Sequence, residues 1–244
     1  MVIEGEPGPG GVAATLTLAD WRREIGTLYA EVRRLAATDV GAALQLWRTT
    51  RERLFREHPQ SPVPASKRAD FRAYHFEHDP ALRFEVVVDD PPPSPLAGAA
   101  EGFGTFGGFG VMTIELPVSA GGSMSFTRFG SVSIPFPDGE RRLDLYWMAG
   151  YAGGLFLPFR DGTNGRETYG AGRYLLDAAK SADLGPGGTP NSLVLDFNFA
   201  FQPSCAFDPK WACPLAPPSN RLDLPIRAGE RLADRPDPSS GPVV

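Results

Sequence analysis

The sequence predicts a mainly-β α+β protein: an antiparallel β-barrel or barrel-like sheet with an N-terminal helical hairpin. Three observations predict it. Apolar residues recur at helical spacing up to about residue 58 and alternate with polar ones from about residue 82. The 244 residues include 28 glycines and 25 prolines, a content that favours turns and short strands over long helices. Strand-like segments follow one another through short turns without crossover helices, which implies antiparallel pairing and excludes a Rossmann-type alternation.

Residues 1–14 are Gly/Pro-rich and aperiodic, so a flexible N-terminus is expected. Asp20 precedes Trp21, Ile25, Leu28, Tyr29, Val32 and Leu35 at helical spacing and reads as an N-cap. Asp39 opens a second helix with Ala43, Leu44, Trp47, Leu54 and Phe55 on one face. Arg48, Arg51, Glu52 and Arg56 lie off that face, and the helix ends before Pro59. The hairpin, residues 15–60, is expected to pack outside the barrel or across one mouth.

The barrel-like domain is expected over residues 61–231. Phe84, Val86 and Val88 alternate in its first strand, and a Pro-rich break follows at 91–95. Further strands are predicted at 111–116, 123–129, 131–136, 143–148, 155–159, 167–176, 193–199 and 222–227, separated by Gly, Pro, Asp-Gly and Asn-Gly turns. Residues 232–244 read as a flexible tail.

The formal net charge is −5, so no basic field exists to collect nucleic acid. No stretch approaches the roughly 18 consecutive apolar residues of a membrane span, and the start lacks a signal-peptide pattern. A cytoplasmic protein without membrane or nucleic-acid partners is expected. No motif calls for a cofactor, and oligomeric state is not legible.

The order of motifs in the second half is distinctive. Pro158-Phe159-Arg160-Asp161 leads through Thr163-Asn164-Gly165 to Thr168-Tyr169-Gly170-Ala171-Gly172-Arg173-Tyr174. Asp196-Phe197-Asn198-Phe199, Pro203-Ser204-Cys205, Cys213-Pro214-Leu215, Asn220-Arg221-Leu222 and Ala228-Gly229-Glu230 follow, with His58-Pro59-Gln60-Ser61-Pro62 upstream. This succession resembles the bacterial domain-of-unknown-function 1684 family. The family name carries no activity, so the resemblance identifies relatives without assigning a reaction.

Read as one extended strand, residues 167–176 place Glu167, Tyr169 and Arg173 on a common face. In the strand at 193–199, Asp196 and Asn198 share a face. If both faces line a barrel mouth, these five residues form a hydrogen-bonding cluster with Arg160 and Asp161 at its rim. Arg160, Tyr169, Arg173 and Asn198 are the candidate ligand-binding residues, since a guanidinium holds a carboxylate or phosphate bidentately. Glu167, Asp196 and Asp161 are candidate acid–base residues, and His58 is the best placed of three histidines to shuttle protons. Each has a structural alternative: an ion-pair and turn network for the cluster, a helix-end imidazole for His58.

The glycines around 165–172 lack the Gly-Lys-Ser/Thr of a phosphate loop and suit a bend or bulge better. His75 and His78 together with the cysteines do not match a zinc spacing, so no metal site is predicted. Cys205 and Cys213 enclose seven residues and read as a structural pair, either a disulfide or two close thiols. No Gly-x-Ser-x-Gly, Ser-x-x-Lys or His-Glu-x-x-His motif occurs. The leading reading is a barrel that binds a small polar or anionic molecule, with acid–base or hydrolytic chemistry as an extension. The alternative is a non-catalytic structural or protein-interaction module, in which the same residues are buried and mutually satisfied.

Overall fold

The computed structural model describes residues 11–90, 112–149 and 153–233. Most of the expected flexible N-terminus and C-terminal tail lies outside the described residues, as do the 91–95 break and Val111. Among the described residues two α-helices, α1 (Val12–Ala36) and α2 (Val40–Glu57), precede nine strands. α1 starts eight residues before the expected Asp20 cap. Residues 12–19 are rich in alanine and leucine, which propagate a helix, so Asp20 sits within it. Asp39 caps α2 as its residue type predicts, accepting a 2.9 Å hydrogen bond from Ala42 N.

The strands are β1 (Tyr74–His75), β2 (Arg83–Asp89), β3 (Met112–Pro117), β4 (Ser123–Phe136), β5 (Gly139–Met148), β6 (Leu155–Phe159), β7 (Arg173–Asp177), β8 (Ser192–Asp196) and β9 (Glu230–Arg231). Seven of them form one curled antiparallel sheet, a half-barrel of order β7-β6-β5-β4-β2-β8 with β3 beside β4. β1 and β9 pair separately, joining Tyr74 to Arg231 and His75 to Glu230. No helix among the described residues is long and apolar enough to cross a membrane.

β4 merges two predicted strands through a bulge at Phe129, where the register with β5 shifts between Arg128 and Gly130. One extra residue exchanges the faces of a strand. Phe126, before the bulge, packs in the core shared with the helices, whereas Val132, Ile134 and Phe136 point into the curl of the sheet. Gly130 is needed at this crossing because a Cβ there would lie 2.6 Å from Val88 Cγ1 and 2.9 Å from Asp89 O. The bulge thus lets one ribbon supply two cores. The hairpin closes the first, with Trp47 Nε1 donating to Tyr29 Oη at 3.0 Å between the helices. Leu143, Leu145, Leu157, Phe159, Phe197 and Ile226 help fill the second, so its interior is packed side chain.

Two predicted strands are shorter than expected, and one is absent. Residues 167–172 form turns, because Thr163, Asn164 and Thr168 side chains bond locally and Gly165 and Gly172 take positive φ. β8 stops at Asp196, whose carboxylate caps a 3₁₀ turn over Phe197–Phe199. Residues 222–227 run irregularly as part of the wall that covers the curl.

Candidate functional site

The buried centre of the predicted cluster is the pair Arg173–Asp161. Arg173 begins β7, and Asp161 stands in the turn after β6. Their side chains meet at 2.8 Å with 0% exposure on both sides. Arg173 also donates to the carbonyls of Ile226 (2.7 Å), Ala228 and Glu230 (3.1 Å), and its guanidinium carbon lies 5.2 Å from the Phe159 ring centroid. Burial lowers the guanidinium pKa, and Asp161 pushes it back up. Asp161 accepts from Thr163 N (2.7 Å), Thr163 Oγ1 (2.5 Å) and Ile226 N (3.4 Å). The pair therefore ties the 226–230 segment across the end of the half-barrel.

The loss of the extended 167–176 strand separates the other members. Glu167 projects to the surface and pairs with Arg227 at 2.8 Å, their side chains 37% and 61% exposed. Arg160 is exposed; its backbone bonds to Asn220 O and Leu222 N. Tyr169 turns toward the Cys205 thiol, and its phenol is pushed up to about 12, mainly by burial and then by that thiol. Asp196 and Asn198 stay together at the end of β8. Asp196 accepts from Asn198 N and Nδ2 and pairs with Arg83 at 3.2 Å, while Asn198 exchanges two hydrogen bonds with the backbone of Asp79.

His58 follows α2 and is buried, its ring edge against Trp21. Its Nδ1 accepts from Gln60 N at 3.0 Å, which puts the proton of the neutral ring on Nε2, 3.7 Å from Asp20 Oδ2. Among the described residues Asp20, Glu24 and His58 form the one group of three side chains within metal-ligating reach of one another. The group is a poor ligand set: Nε2 carries the proton, and Glu24 is engaged by Arg53 at 2.5 Å. His75, His78 and the cysteines do not converge. Cys205 and Cys213 are buried side by side, with Cys205 N donating to Cys213 Sγ at 3.2 Å.

A second buried ion pair was not foreseen. Arg51, expected off the apolar face of α2, is 2% exposed and pairs with Glu230 at 2.8 Å. Gln202 N occupies the other carboxylate oxygen, and the guanidinium carbon lies 4.8 Å from both the Phe55 and Phe201 centroids. The signal was present: Arg51 stands four residues after Trp47 and four before Phe55, in the same helical phase.

Open space lies elsewhere. A groove of about 360 Å³ runs along α2 past Arg48, Glu52 and Arg56 to Ala73 and His75. A smaller cleft of about 200 Å³ lies between Phe71, Tyr74, Phe207 and β9.

The model of a family described as a protein of unknown function, DUF1684, matches residues 74–231. A solution NMR structure of an uncharacterised protein from gene locus rrnAC0354 of Haloarcula marismortui is similar to this chain, with 31% identity and a TM-score of 0.55. The match covers 80% of this chain and 96% of that one, and its haloarchaeal source extends the likeness beyond bacteria. No curated protein matches.

Proposed function

Because the chain belongs to the DUF1684 family, whose description gives no activity, we propose its function from its own geometry: a non-catalytic module that acts through its outer surfaces. The observation that carries this reading is the Arg173–Asp161 pair. A ligand-binding guanidinium keeps a donor face open, whereas both terminal nitrogens of Arg173 are committed to the protein's own acceptors. Asp196 and Asn198 are likewise consumed in capping a turn and holding the Asp79 backbone. The curl of the sheet, where a barrel would take a ligand, is filled with apolar side chains. In this reading Asp161, Arg173, Asp196 and Asn198 are architectural, and the exposed Glu167 and Arg160 belong to the surface.

Arg173→Met tests it in denaturant unfolding. The substitution strands a buried carboxylate and three carbonyls, so a loss of about 3–5 kcal/mol is expected, partly restored by Arg173→Met/Asp161→Asn. A folded Arg173→Met protein within about 1 kcal/mol of the parent would overturn the reading, because such a guanidinium is spare and available to a ligand.

A further inference from the structure

The groove along α2 has its own chemistry. Gln45, Arg48, Thr49, Glu52 and Arg56 line one wall at helical spacing, and β1 with Ala73 forms the other. Two contacts hold the walls in place: Arg48 Nη2 donates to Phe76 O at 2.9 Å, and Ala73 N donates to Glu52 Oε2 at 3.1 Å. Between these contacts sits His75, its ring 5.5 Å from Trp47. Arg48 Nε and His75 Nε2 are both buried without a hydrogen-bond partner. Unsatisfied buried nitrogens are rare and need a reason. These two are contributed by opposite walls of one open groove.

Arg48 Nε can only donate, so its missing partner is an acceptor, and His75 Nε2 donates to the same acceptor in the tautomer that carries the ring proton there. Arg53 is taken by Glu24, and Arg56 reaches Glu52 only at 3.9 Å. Glu52 Oε2 is occupied by the Ala73 amide, and neither groove carboxylate, Glu52 or Glu57, hydrogen-bonds Arg48 Nε or His75 Nε2. Glu52 and Glu57 also line the groove and oppose any extended polyanion. The volume is that of a small-molecule site. We propose that the groove between α2 and β1 binds a small molecule through one oxyanion, a carboxylate or a phosphoryl group, held between Arg48 and His75.

Binding turns Nε–H of Arg48 and the imidazole of His75 toward the oxyanion, in the charge-assisted geometry that guanidinium groups favour. The charged groups around His75 are Arg48, Arg51 and Glu52 on α2 and Glu230 on β9; the arginines disfavour its protonation and the acids favour it. A bound oxyanion adds to the acids, so affinity rises as pH falls. This inference gives a ligand class to the surface role proposed above. It reads residues other than Arg173, so the two can fail separately.

The test is a titration of the full chain with inorganic phosphate and, separately, acetate, at constant ionic strength set with chloride. It is followed by the backbone amide NMR signals of residues 45–56 and 73–75, with the His75 imidazole signals read alongside in the parent and in Arg48→Gln, and repeated with Arg48→Gln and His75→Gln. Expected is saturation in the millimolar range with a shift of the His75 ring signals, tighter at lower pH with acetate kept ionised, and weakened at least tenfold in either variant. The stronger probe identifies the oxyanion as phosphoryl or carboxylate. No saturation by either probe, or saturation unchanged in both variants, overturns the proposal. Should Arg48→Gln fail to fold, the parent titration and His75→Gln decide it.

Discussion

Lowering the pH from 7 to 4 should destabilise this protein through one histidine, by an amount the structure sets. The His75 ring is packed against Trp47, and its pKa falls from 6.5 to about 4, first by desolvation, with Arg48 and Arg51 adding to the effect and Glu230 and Glu52 opposing it. The folded protein therefore keeps a neutral imidazole over a range in which the unfolded chain takes up a proton. Its contribution is fully present above pH 6.5 and is lost as pH falls from 6.5 to about 4. Linkage converts that displacement into about 3 kcal/mol, a large part of a typical domain's stability. Urea unfolding of the parent and of His75→Gln, in chloride buffers between pH 7 and 4, measures it. Carboxylate titrations are common to both proteins, so the two curves should converge on acidification by about 3 kcal/mol. Parallel curves, differing by a constant at every pH, would refute the reasoning, because the imidazole would then titrate alike in both states.

Two further outcomes are expected. Glu167→Gln removes a solvent-screened surface pair with Arg227 and should leave the thermal midpoint close to the parent's, in contrast to Arg173→Met. Cys205 and Cys213 should resist a thiol reagent in the native protein and react together once it is unfolded, since both are buried out of the reagent's reach; rapid native labelling would contradict their burial.

The class of fold was legible because each signal is local. The phase of Trp21, Ile25, Leu28 and Val32 defines a helix face, and the alternation in β2 defines a strand. The bulge at Phe129 was not legible, because alternation on either side reads as two separate strands and the sequence carries no mark that one ribbon continues through both. The 167–176 segment was misread because its alternating residues suggested an extended chain, while the Asn164 and Thr163 side chains compete successfully for the same backbone. Asp161 and Arg173 were singled out by type, the one as a rim acid–base candidate and the other as a ligand-binding guanidinium, but their pairing and role depended on which side chains and carbonyls end up beside them. Arg51 and Glu230 lie 179 residues apart, and no local pattern joins them.

The two buried guanidiniums share a dependence on 226–230: Arg51 needs the Glu230 carboxylate, and Arg173 needs the carbonyls of Ile226, Ala228 and Glu230. During synthesis the helices and most of the half-barrel emerge before that stretch leaves the ribosome. Until it arrives, two cations face apolar surroundings without their acceptors, so consolidation of the core waits for this stretch. Contacts of such long sequence separation are also slow to form. The nascent chain should thus be most exposed to proteases and chaperones just before β9 docks.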